Sequence, residues 1–154
     1  MGAAEEVRVL AISAAEEDFV SLQHVFSHSK WRFDRVHTLA EAVAYLREND
    51  AAVVISPCEL PDGNWKTVLS ELVRQPQAPR LIVYSDAADD RLWAEVLDHG
   101  GYDLVRVPFE AGEIVRVVSL AWRQWKDEWL QRNQGPQRAS GRRQGPRTRN
   151  AGGD

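Results

Sequence analysis

The chain contains one cysteine, Cys58, and one methionine, its first residue. A single thiol cannot close an intramolecular disulfide and falls short of a structural zinc site, so the expected compartment is the reducing cytoplasm. No apolar run approaches the ~20 residues that a bilayer-spanning helix requires. Met1–Glu6 carries acidic residues where a secretion signal would be basic, so neither a membrane role nor export by such a signal is expected. The first apolar run is followed by Ser13-Ala14-Ala15 in place of the glycines of a dinucleotide-binding loop, and no G-x-S-x-G nucleophile elbow occurs. The sequence names no residues for an enzyme, and no cofactor, bound metal or small-molecule substrate is expected.

What is present fits one compact domain. The 154 residues are 44% hydrophobic and 27% charged, an ordinary globular balance. The net charge of -4 is unevenly spread: residues 135–154 hold five Arg and one Asp, net +4, which leaves -8 on the first 134 residues. An acidic body of this kind is poorly suited to hold nucleic acid by itself.

Five short aliphatic and β-branched runs recur: Val7–Ile12, Arg32–His37, Ala52–Ser56, Arg80–Ser85 and Asp103–Val107. Val9-Leu10-Ala11-Ile12, Val53-Val54-Ile55 and Leu81-Ile82-Val83 are apolar without alternation, as expected of parallel strands covered on both faces. Between the runs the apolar period becomes helical. Phe19, Leu22 and Phe26 form one stripe; Leu39, Val43 and Leu46 a second, after a Thr38-Leu39-Ala40-Glu41 capping box. Trp65, Val68, Leu69 and Leu72 form a third, and Leu92, Trp93, Val96 and Leu97 a fourth, closed by Gly100-Gly101. A fifth helix is expected from about Glu110 to about Gln131. Five alternating β-α units predict a doubly wound α/β fold, a three-layer α/β/α sandwich around a five-stranded parallel sheet. The domain is expected over residues 6–132. Residues 133–154, rich in Gly, Pro and Arg and without large aliphatic residues, are expected to be a disordered tail.

Glu59-Leu60-Pro61-Asp62-Gly63 after the third strand, Ser85 closing the fourth, the Gly100-Gly101-Tyr102-Asp103 turn and Val107-Pro108-Phe109 closing the fifth fall in a telling order. In these features the chain resembles the CheY-like receiver domain of bacterial response regulators, a flavodoxin-like (βα)5 fold of two-component phosphorelay signalling. The segments Leu60–Lys66 and Val118–Trp125 also look like those of stand-alone bacterial receivers. The resemblance implies a phosphoryl pocket. Two carboxylates ending strand one and an acceptor aspartate after strand three would hold Mg²⁺, while a lysine and a Ser or Thr would bind the phosphoryl oxygens. At those positions this chain has Ser13 and Ala14 for the acidic pair, Pro57 for the acceptor, Val107 for the lysine and Ser85 for the hydroxyl. Only Ser85 keeps a usable side chain, which implies a degenerate pseudo-receiver that is not phosphorylated by the usual route. An alternative is phosphorylation on an unconventional carboxylate, Glu59 or Asp62, although Asp62-Gly63 also reads as a turn.

Other groups have plainer readings beside the functional ones. Glu16, Glu17 and Asp18 could replace metal ligands or simply suit the positive end of a helix. His24 and His28 stand at i, i+4 without a third ligand, as on a solvated helix face. Cys58 could sense redox state, but no basic neighbour in sequence would lower its pKa. Arg138, Arg142, Arg143, Arg147 and Arg149 could give weak, salt-sensitive contacts to nucleic acid or an acidic partner. In the last helix Val118, Trp122, Trp125 and Trp129 form a stripe. At 1.5 Å per residue this ~33 Å helix outruns strands of ~17 to 20 Å, so Trp125 and Trp129 are expected to project as a partner-binding or dimer surface. The expected output is protein-protein contact with a signalling partner or a second copy, through helix four, strand five and helix five.

Overall fold

The computed structural model describes residues 6–13, 15–27 and 29–144, with side chains as far as Asn133. Five parallel strands, β1 (Arg8–Ile12), β2 (Arg32–Val36), β3 (Val53–Pro57), β6 (Arg80–Ser85) and β7 (Asp103–Arg106), form one sheet in the order β2-β1-β3-β6-β7. A small antiparallel hairpin, β4 (Glu59–Leu60) with β5 (Gly63–Asn64), fills the loop after β3. The predicted three-layer sandwich is present.

The unbroken apolar runs are explained by what lies on each side of the sheet. Alternate residues of a strand point to opposite faces. Leu10, Ile12, Val54, Leu81, Val83 and Leu104 pack in one cluster, with residues of α2 (Leu39–Glu48), α3 (Trp65–Leu72) and α4 (Asp90–Asp98). Val9, Ala11, Val53, Ile55, Ile82, Tyr84 and Val105 pack in the other, with α1 (Glu16–Phe26) and α5 (Ala111–Gln144). Both faces are covered, so both sets must be apolar.

Local signals set the helix ends. The Thr38 hydroxyl accepts from the Glu41 N–H, while the Glu41 carboxylate takes the N–H of His37 rather than that of Thr38, a variant of the expected box. Both oxygens of Asp62 accept from Leu39 and Ala40, so the loop after β3 caps the start of α2. Gly100 has φ 104°, and a Cβ at Gly101 would lie 2.6 Å from Val96 Cγ1, so the Gly-Gly pair is demanded both by backbone and by space.

The last helix departs from expectation twice. It continues to Gln144, past the expected end near Gln131 and through Pro136, which donates no backbone hydrogen bond; lengthening a formed helix needs no new nucleus, and composition does not register this. The proposed tail boundary at residue 133 therefore falls inside a helix, and residues 145–154, with Arg147 and Arg149, lie outside the described residues. Second, Trp125 does not project. It is 2% exposed, while Trp122 and Trp129 are half-buried against the same cluster. Strand length understated the platform, because the segment before β6 extends it. Arg80 bonds Gln124 and Glu128, Gln77 donates to the Trp125 carbonyl, and Arg132 donates to the Pro76 carbonyl. The tryptophan stripe is thus mainly core, and Trp125 in particular cannot serve as a partner-binding residue.

Candidate functional site

The C-terminal ends of the strands, where ligands bind in open parallel α/β sheets, surround a hollow of about 590 Å³. Pro57, Ser85 and Val107 all line it, so three of the sequence-assigned pocket positions meet in space. Ser13 does not contribute to its wall. Ser13 is fully buried; its N–H donates to the Val36 carbonyl and its hydroxyl to the Ala15 carbonyl. Ala14 lies outside the described residues.

The chemistry of phosphoryl transfer has little to work with here. Pro57 ends β3 opposite Tyr84, and its only polar atom, the carbonyl oxygen, accepts from the Ser56 hydroxyl. Val107, at the lysine position, brings no charge and precedes a cis bond to Pro108. Ser85 ends β6 and lines the hollow, with its hydroxyl accepting the Ala87 N–H.

Carboxylates are nonetheless present. Glu17, Asp18, Glu59 and Asp86 line the hollow. Partial burial, then the charge of Glu17, raise the Asp18 carboxyl above its ordinary range, against a lowering hydrogen bond from Tyr84; Asp86 raises it further. Tyr84 is almost fully buried, and desolvation pushes its hydroxyl up to about 12. Among the described residues no group of three or more His, Cys, Asp or Glu is arranged to hold a metal ion. With Ser13 turned to the backbone and no side-chain oxygen at Pro57, this donor set does not fit the octahedral oxygen shell of Mg²⁺.

Of the two alternative acceptors, Asp62 is committed elsewhere. Its carboxylate caps α2, the hydrogen bonds from Leu39 and then Ala40 hold its pKa below the ordinary range, and it does not line the hollow. Glu59 does line it, as the exposed first residue of β4. Cys58 is half-buried, and desolvation raises its thiol, opposed by a hydrogen bond with Ser85 and reinforced by Glu59, Asp86 and Glu95, so its surroundings disfavour the thiolate. Glu16 points away to Arg35, at 2.8 Å. His24 lies in the last turn of α1, and His28 lies outside the described residues.

Sequence reasoning missed two residues. Arg35, on β2, reaches the carbonyl of Ser13 with Nε and Nη2 at 3.2 and 3.1 Å. Trp93 on α4 is 46% exposed, with its indole N–H on Asp103 of β7 at 3.0 Å. Nothing local announced the first, because β2 carries three charged residues, Arg32, Asp34 and Arg35, and none of its residues is fully buried; Trp93 was hidden within a plausible core stripe.

No protein-family model matches the chain, and no curated protein is similar to it in sequence. Solved structures resemble it closely in fold. The signal receiver domain of a Luxo repressor protein from Vibrio parahaemolyticus superposes with a TM-score of 0.74 at 18% identity, covering 81% of this chain and 96% of that one. The receiver domain of an HD domain-containing protein from Pseudomonas fluorescens Pf-5 gives 0.71 at 20% identity, covering 79% and 98%. The beryllofluoride-activated NtrC4 receiver domain, solved as a dimer, gives 0.70 at 19% identity, covering 77% and 98%. The chain has the receiver fold.

Proposed function

We propose that this chain is a pseudo-receiver of two-component signalling, a non-enzymatic module that accepts no phosphoryl group and acts through protein-protein contact. The observation that carries the reading is the hollow at the strand ends. It keeps the receiver's place and its hydroxyl, Ser85, but has proline where the nucleophile belongs and valine where the cation belongs. With no carboxylate at the acceptor position Pro57, no acidic pair at Ser13 and Ala14 and no lysine at Val107, the charge developing on a phosphoryl group transferred there finds no compensation from those positions.

The contact surface is assigned to α4, β7 and α5, the face expected from the resemblance, but with different residues. Trp93 and Leu120 are 46% and 44% exposed. Leu120 lies one turn before Gln124, whose side chain accepts from Arg80 at the start of β6 and lines a surface hollow with Tyr102, the residue before β7, so Leu120 lies on that side of α5. A half-exposed tryptophan fixed by its own hydrogen bond is a suitable interface anchor. The dimer of the NtrC4 receiver is a property of that protein; here a second copy or a signalling partner would fit the same role. Sedimentation of the purified chain, alone and with partners recovered from its native cell, tests the surface. Trp93→Ser with Leu120→Ser should weaken association at least tenfold with the thermal midpoint nearly unchanged. Undiminished association would move the contact elsewhere.

A further inference from the structure

We infer that the arginine-rich C-terminal segment of one copy docks in the strand-end hollow of another, so that the chain assembles head to tail. Pro57, Val107 and Pro108 give the hollow an apolar wall, and the carboxylates of Glu17, Asp18, Glu59 and Asp86 surround it. No lysine or arginine is among the residues that line it, and Glu17, Glu59 and Asp86 are exposed without an ion pair among the described residues. Its volume, about 590 Å³, is that of a ligand pocket. Carboxylates gathered round a weakly polar wall concentrate a negative field and select a cationic occupant. The same chain carries one: residues 135–154 hold five arginines against one aspartate.

The fold decides which copy supplies that segment. Pro108 lines the hollow, and α5 starts shortly after it, at Ala111. From there the helix leads away from the strand ends: Gln124 and Glu128 meet Arg80 at the start of β6, and Arg132 meets the Pro76 carbonyl. At 1.5 Å per residue the 34-residue helix sets Gln144 at least about 40 Å from the hollow, whereas the stretch from there to Arg149 spans at most about 18 Å. Arg138, Arg142 and Arg143 belong to the helix itself and are carried away with it. A chain therefore cannot fill its own hollow, and a second copy can. Because the contact joins two different surfaces, each pair leaves one hollow and one segment open to a further copy.

Sedimentation of full-length chains tests this. All carry Trp93→Ser and Leu120→Ser, which removes the face assigned above, so failure of that reading and failure of this one are told apart. This parent chain should associate beyond the dimer as its concentration rises, and at least tenfold more weakly in about 0.5 M salt than in about 0.05 M. One variant adds Glu17→Gln, Glu59→Gln and Asp86→Asn; another instead changes Arg138, Arg142, Arg143, Arg147 and Arg149 to Gln. Each should be monomeric alone, and an equimolar mixture should give a one-to-one complex, because the intact segment of the first meets the intact hollow of the second. Monomers in the parent or in the mixture, or either variant associating alone as strongly as the parent, overturn the inference. So does an equal loss of association on Glu48→Gln with Asp50→Asn, exposed acidic residues that do not line the hollow. Cross-linking reads the same contact in the otherwise unaltered chain, whose single cysteine, Cys58, lines the hollow. After oxidation with diamide, Thr148→Cys should show a disulfide between position 148 of one copy and Cys58 of another, mapped by mass. Links only between two positions 148, or none, count against it.

Discussion

Removing the Trp125 ring gives the sharpest test of how α5 sits. The side chain is 2% exposed, and a buried tryptophan withdraws roughly 150 to 250 Å² from water, worth on the order of 4 to 6 kcal/mol at about 25 cal/mol per Å². That figure is an upper bound because the unfolded chain already buries some of this area. Measured costs of emptying such sites, about 3 to 5 kcal/mol, fall in the same range. Trp125→Ala is therefore expected to lower the unfolding free energy by about 3 to 5 kcal/mol in urea titration, at nearly constant slope. Trp125→Phe should cost less than half as much: it keeps most of the ring volume, and the indole N–H has no acceptor among the described residues to lose. Association of the folded protein should be unaffected by either change. A midpoint unmoved by Trp125→Ala, together with weaker association, would refute the reasoning and restore the projecting stripe.

Three further outcomes are expected. Gly101→Ala would set a methyl 2.6 Å from Val96 Cγ1 and 3.1 Å from the Val96 carbonyl oxygen, and should destabilise by about 1 to 3 kcal/mol in the same titration. The Arg80 hydrogen bond, against some desolvation, holds the Glu128 carboxyl below its ordinary range; such a group stabilises above its unfolded pKa and loses that contribution as pH falls through its folded one. Glu128→Gln should then be about 0.5 to 1 kcal/mol less stable at pH 7, screened because the side chain is 40% exposed, and the gap should close by about pH 3. Burial raises the Cys58 thiol, so its alkylation at pH 8 should be slower in the folded chain than in urea, as followed by mass.

The sheet was legible because its strands are buried on both faces, which leaves runs such as Val53-Val54-Ile55 with no other use. The pocket was legible for a different reason: Pro57, Ser85 and Val107 close three strands, and parallel strands bring their ends together wherever the helices lie. Long-range pairings were not legible. Asp62 looked like a turn residue and is the cap of a helix that starts 23 residues earlier. Arg35 bonds a carbonyl 22 residues away, and nothing local in Arg32–Val36 announces it. Trp125 was misread because a periodic stripe shows which side of a helix is apolar but not how far the neighbouring chain extends beneath it. Here Gln77 and Arg80 carry the body further than the strand lengths suggested.

The central claim is that the hollow cannot take a phosphoryl group, and intact-mass measurement after incubation with acetyl phosphate and Mg²⁺ tests it most directly. The account predicts no mass gain in the unaltered chain, and none in Pro57→Asp alone, because the metal would still lack its carboxylates on β1. An acid-labile gain of one phosphoryl group in the unaltered chain, lost in Glu59→Gln, would contradict it and make the hairpin carboxylate that lines the hollow the acceptor.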